Sequence, residues 1–163
     1  MRLTLQSKDL ESHVDNTNNG TAVYAPAAGN LTIKNSTLTG FASAVCYRGH
    51  GTLKIEGGTF ESTTEGSFTV APNVNGTTAV GAAIVVSPYA PNDAVVNISD
   101  VILKSASSQK VGFWEGSIMP GSKNRNTIQK LTWDKAKSTS DIKLFKGATS
   151  AYMSGTPIAD WIR

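Results

Sequence analysis

The sequence predicts an all-β chain wound as a right-handed parallel β-helix, a solenoid of about four to six rungs with a C-terminal cap. Three observations predict it. A segment of alternating apolar residues recurs four times, a bend of residue types that tolerate left-handed backbone sits inside the copies, and a shorter apolar stretch precedes three of them. Composition agrees. Hydrophobic residues make up 39% of the 163 and charged ones 17%, with Gly, Ser, Thr and Asn filling the difference, a mix that disfavours long helices and suits short strands joined by turns.

The recurring segment reads RLTLQSKDLES at 2–12, NLTIKNSTLTG at 30–40, TLKIEGGTFES at 52–62 and VNISDVILKS at 96–105. Aligned, the copies share three apolar columns: Leu3, Leu31, Leu53 and Val96; Leu5, Ile33, Ile55 and Ile98; Leu10, Leu38, Phe60 and Leu103. Thr4, Thr32, Lys54 and Asn97 stand between the first two columns, the alternation of a strand with one wet face. Between the second and third columns lie Asn35-Ser36, Gly57-Gly58 and Asp100, so each copy reads as strand, tight turn, strand. TAVYA at 21–25, SAVCY at 43–47 and AAIVV at 82–86 supply a third strand. Stacking such rungs about 4.8 Å apart turns the columns into ladders that line a dry interior. The alternative is an antiparallel sandwich whose strands resemble one another only in composition.

Leu31 and Leu53 are 22 residues apart, whereas Leu3 to Leu31 is 28 and Leu53 to Val96 is 43. The extra residues fall at 13–20, 64–81 and 87–93, corners that flank the stack of short strands. Segment 64–81 reads equally as an inserted loop or as one degenerate rung. Solenoid insertions gather on the face that binds, which makes this face the functional candidate.

Residues 1–103 carry five basic and eight acidic side chains, and residues 104–163 carry ten and four, together with all three tryptophans. This places a change of character near residue 104. Residues 1–113 are read as rungs and 114–163 as a cap on the solenoid end within a single domain. VGF at 111–113 and LTW at 131–133 are positioned to continue the two stacks, and Thr156-Pro157 before IADWIR carries the signature of a short helix whose Trp161 plugs the end. An open solenoid end requires such cover.

NLTIKNSTL and TLKIEGGTF resemble the pectate-lyase-like right-handed parallel β-helix superfamily, and the GGTF style of repeat is similar to that of bacterial cell-surface and phage-tail β-helices. The resemblance covers residues 1–113 and implies fold more than activity. A lyase of this kind would carry calcium-binding carboxylates and a basic residue on the first-strand face, and an inverting hydrolase would carry paired carboxylates there. TAVYA, SAVCY and AAIVV contain no Asp or Glu, so no catalytic residue is assigned.

Other chemistry is equally sparse. DNTNNG at 15–20 begins like a calcium loop, but Pro26 stands where the closing Glu belongs. His13 and His50 have no partner at metal-ligand spacing, and Cys46 lacks a neighbouring histidine arrangement and reads as a core residue. No metal site, cofactor or nucleic-acid module is expected, and no stretch is apolar enough to span a bilayer. Five Asn-x-Ser/Thr sequons, at Asn19, Asn30, Asn35, Asn75 and Asn97, follow from a composition rich in Asn and Thr. Tyr24, Tyr47, Arg48 and Tyr89 lie on or beside the candidate face, where aromatic rings and a guanidinium suit sugar stacking; the competing reading turns Tyr24 or Tyr47 into the core.

The expectation is a non-catalytic extracellular or surface β-helix module, carbohydrate-binding or adhesin-like, from a cell-surface or virion protein, with a glycan or another surface protein as partner. One alternative is a polysaccharide-degrading enzyme, a lyase or glycoside hydrolase, using Glu61, Glu65, Asp93 or Asp100. The other is a structural spacer of a larger surface or phage-tail protein.

Overall fold

The computed structural model describes residues 2–5, 9–12, 20–25, 29–73, 76–86, 93–117, 126–149 and 156–157. Among these the chain is all-β, without a helix, and two parallel sheets dominate it. The first holds β1 (Arg2–Leu5), β2 (Asp9–Ser12), β4 (Asn30–Gly40), β6 (Thr52–Ser62), β10 (Val95–Ser105) and β12 (Thr127–Trp133), with β1 and β2 both paired to β4. The second runs β3 (Thr21–Ala25), β5 (Ser43–Tyr47), β9 (Ala82–Val86), β11 (Val111–Ser117), β13 (Lys143–Thr149) and β14 (Thr156–Pro157). From β3 to β13, apart from one hairpin, successive strands alternate between the sheets. Every pairing in them is parallel except that of β13 with β14, which excludes an antiparallel sandwich.

The register matches the columns of the sequence. Leu3 pairs with Leu31, Leu31 with Leu53 and Leu53 with Val96; Leu5 meets Ile33, then Ile55 and Ile98, and Leu10 meets Leu38, then Phe60 and Leu103. β12 adds Leu131 beside Ile98. From β4 to β12 the side chains of these ladders are buried, apart from partly buried Ile128, and they meet Val23, Val45, Ile84, Phe113 and Leu144 of the second sheet in one core between the sheets.

The long strands change phase where the turn residues stand. In β4, Leu31 and Ile33 face inward, Lys34 and Asn35 both face outward, and Ser36 and Leu38 return to the core. Two consecutive outward residues require a backbone that alternation alone does not give. Asn35 supplies it at φ 44°, Asp100 at 57°, and Gly57 and Gly58 at 67° and 102°.

Outside the bend, Glu56 lies 2.7 Å from Lys34 Nζ and 2.6 Å from Lys54 Nζ. Hydrogen bonds from Lys34 and then Lys54 lower its carboxyl from an ordinary 4.5 to about 2. A carboxylate depressed in the folded state stabilises above its unfolded pKa, and that stability disappears as pH falls through the folded value. The melting temperature of Glu56→Gln should therefore sit below the parent's above pH 4.5, and the gap should close as pH falls toward 2. Water reaches a third of this side chain, so the gap is small.

Segment 64–81 is not a rung. β6 pairs directly with β10, and β7 (Thr69–Asn73) and β8 (Gly76–Val80) form a separate antiparallel hairpin. Parallel pairing also continues past residue 113, since β12 pairs with β10 and β13 with β11. Beyond Val101 the edge of β10 is met by side chains: Leu103 N donates to Ser138 Oγ at 3.0 Å and Ser105 N to Thr139 Oγ1 at 3.1 Å. Thr156 and Pro157 are not the first turn of a helix. They form β14, antiparallel to β13, and give its outer edge partners that a helix would not supply. Trp161 lies outside the described residues.

Candidate functional site

The second sheet has an inner and an outer face. Val23, Val45, Ile84, Phe113 and Leu144 point inward, and the neighbouring column, Tyr24, Cys46, Val85, Trp114 and Phe145, points outward. That outward column is apolar, and most of it is covered. Phe68 and Ala79, at the base of the hairpin, pack with Cys46, Ala82, Val85, Val111 and Trp114 into a second hydrophobic cluster. The insertion thus roofs the candidate face.

This roof sets the chemistry of Cys46. Burial, partly offset by the charge of Arg48, pushes the thiol up to about 12, so at neutral pH it is protonated and a poor nucleophile. Dithionitrobenzoate should leave Cys46 untouched in the native protein and react on unfolding. Phe68→Ala should speed the reaction roughly tenfold for each ~1.4 kcal/mol by which opening of the hairpin is eased. Equal rates in both proteins would separate Cys46 from the roof.

The residues singled out in the sequence divide. Tyr24 is 46% exposed, and its hydroxyl accepts a hydrogen bond from Arg48 Nη1, whose guanidinium carbon lies 5.8 Å from the ring centroid. Arg48 is itself buried. Tyr47 belongs to the core between the sheets, where its hydroxyl donates to Gly29 O at 2.9 Å. Burial first, then the negative charge of Asp93, pushes that phenol up to about 12. The ring therefore offers no stacking surface. Tyr89 lies outside the described residues.

Beyond the roof, where β11 meets β13, the outer face opens into a cleft of about 170 Å³ lined by Phe68, Gln109, Val111, Trp114, Lys143 and Phe145. Trp114 and Val111 are buried, and Phe68 leans on Trp114 with centroids 6.2 Å apart and planes at 47°. Lys143 and Phe145 come from the outward positions that flank inward Leu144. Gln109 bridges to the hairpin, its Oε1 accepting from Phe68 N and, at 3.1 Å, from Ser108 Oγ. Trp114 and Phe145 stand respectively three and four strands from Tyr24 across the sheet, so roughly 14 Å separates the exposed tyrosine from the nearer cleft residue. Sequence reasoning missed the cleft because it joins residues of the insertion to residues of the region read as cap.

The acidic residues do not assemble. Asp93 is exposed beside His50, with Oδ1 3.1 Å from Nδ1, before the start of β10. Asp100 occupies the bend, where its main-chain N donates to Thr132 Oγ1 at 3.0 Å. Glu61 pairs in register with Lys104 near the far end of the same strands, and Glu65 is exposed beyond them. Glu115 is buried, with Oε1 accepting from Asn126 Nδ2 at 3.0 Å. Among the described residues no group of three His, Cys, Asp or Glu could hold a metal ion, and no helix is long and apolar enough to cross a membrane. Compared with known proteins, the chain matches no family model, no curated protein and no solved structure.

Proposed function

We propose that the chain is a short right-handed parallel β-helix acting as a non-catalytic, carbohydrate-binding module of an extracellular, cell-surface or virion protein. The two sheets are then faces of one coil of five windings, each contributing a bent strand or strand pair to the first sheet and a short strand to the second. Strands of one sheet joined through the other, all parallel, support this reading, and the right-handed twist of strands favours the right-handed winding. The resemblance of NLTIKNSTL and TLKIEGGTF to surface and phage-tail β-helices supports the setting.

The observation that carries the binding role is the aromatic cleft beside the hairpin, concave and apolar with a few polar atoms at its rim, as small-ligand sites are. Its lining contains no carboxylate. Glycoside hydrolysis ordinarily uses two carboxyl groups about 5–10 Å apart, whereas Asp93 and Glu61 occupy opposite ends of a pair of 11-residue strands.

Chromatography over a panel of immobilised polysaccharides, assayed for retention and for newly released ends, tests the proposal. Retention without product is expected, and Phe145→Ala, which removes a partly exposed ring, should lose it while the melting temperature changes little. Accumulating product would make the chain an enzyme. Absence of retention on every polysaccharide would leave the spacer role.

A further inference from the structure

We infer that the cleft selects a six-membered ring carrying a carboxylate, the acidic sugar of a glycan chain; the inference rests on the glycan-binding reading above. Size comes first. About 170 Å³ admits one ring and excludes a longer segment, so recognition falls on a single residue of the glycan. Phe145, the partly exposed ring of the lining, gives that sugar apolar surface to lie against, backed by the buried Phe68 and Trp114, as the hydrogen-rich face of a pyranose requires.

The polar atoms of the lining decide which ring. Oε1 of Gln109 is occupied by Phe68 N and Ser108 Oγ, which leaves the amide hydrogens on Nε2 as its available groups. Lys143 is exposed and makes no ion pair among the described residues. The nearest carboxylate along the chain, Asp141, faces Lys110 at 3.9 Å. The side-chain groups left available are therefore all donors, and one of them is a full positive charge. A neutral sugar brings hydroxyl donors that find no free side-chain acceptor there. A uronate brings two strong acceptor oxygens and the charge that Lys143 lacks. The net charge of +6 over residues 104–163 adds long-range attraction of the same sign.

Intrinsic fluorescence tests this, in a protein carrying Trp133→Phe and Trp161→Phe so that Trp114 alone reports. D-glucuronate and D-galacturonate are titrated beside D-glucose, D-galactose and benzoate. The expected result is saturable binding of at least one uronate with a dissociation constant on the order of 1 mM, about tenfold tighter than its neutral counterpart. Lys143→Gln should erase that preference, and Lys143→Arg should keep most of it. Equal binding of neutral and acidic sugars, unchanged in Lys143→Gln, overturns the selection while leaving glycan binding intact. Benzoate bound without either uronate overturns the sugar assignment. No ring bound at all overturns the inference, and retention on the polysaccharide panel then decides separately whether the chain holds glycan by another surface.

Discussion

Replacing Ile55 by aspartate is expected to abolish folding. Ile55 lies in the middle of the second ladder, between Ile33 and Ile98 in register, with no exposure to water. The substitution gives up the transfer of a large aliphatic side chain, about 2–3 kcal/mol, and places a charge among Leu, Ile, Val and Phe side chains, which costs several kcal/mol more. A small domain is stable by about 5–15 kcal/mol, so the two losses consume most or all of it. Circular dichroism and gel filtration should show a chain without a cooperative melt. Thr32→Asp supplies the contrast, because Thr32 lies one residue from Ile33 on the outward face and should change stability by no more than about 0.5 kcal/mol. Ile55→Val, which keeps the ladder but deletes one methylene, should cost about 1 kcal/mol. An Ile55→Asp protein that melts like the parent would mean that this column does not carry the core.

The ladder was legible because each copy repeats the same demand. Four copies at three columns cannot place leucine and isoleucine on one face by accident of a single strand, and the register follows column by column. The bend was legible too, since Asn35, Gly57-Gly58 and Asp100 are types that enter positive φ, and all four residues do. Legibility fails where one copy stands alone. Segment 64–81 spans almost a full repeat in length, and length could not distinguish a rung from a hairpin; the local signal was Asn75-Gly76 between two strand-like runs, a hairpin dipeptide. Thr156-Pro157 has the chemistry of a helix start, yet what decides its conformation is the unpaired edge of β13, a tertiary fact with no trace in its neighbours. The cleft was hidden for the same reason. Phe68, Trp114 and Phe145 are far apart in the chain and meet only because the hairpin folds onto the outside of the second sheet.

A methyl group at Gly58 is the second large loss. Its φ of 102° lies beyond the left-handed helical region, where an L-residue is strained by about 1–3 kcal/mol. Space is the stricter limit: a Cβ there would stand 2.2 Å from Ser36 O and 2.8 Å from Ser36 N, main-chain atoms of the neighbouring strand that cannot rotate away. Relief requires β4 and β6 to separate at the bend, where the two strands are paired in register. Gly58→Ala should therefore lower stability by about 3 kcal/mol in urea unfolding, with strain and overpacking contributing together. Gly57 provides the internal comparison. Its φ of 67° is close to the 57° of Asp100, and a Cβ there meets Asn35 Oδ1 at 2.5 Å, the end of a side chain that can swing outward. Asparagine already holds this backbone at residue 35, so Gly57→Asn should cost under about 1 kcal/mol. Two adjacent glycines then differ by a factor of three or more, and the difference arises from what lies opposite each one. Equal losses at both positions would assign the glycine pair to chain flexibility alone and remove the close approach of the two strands as the reason for it.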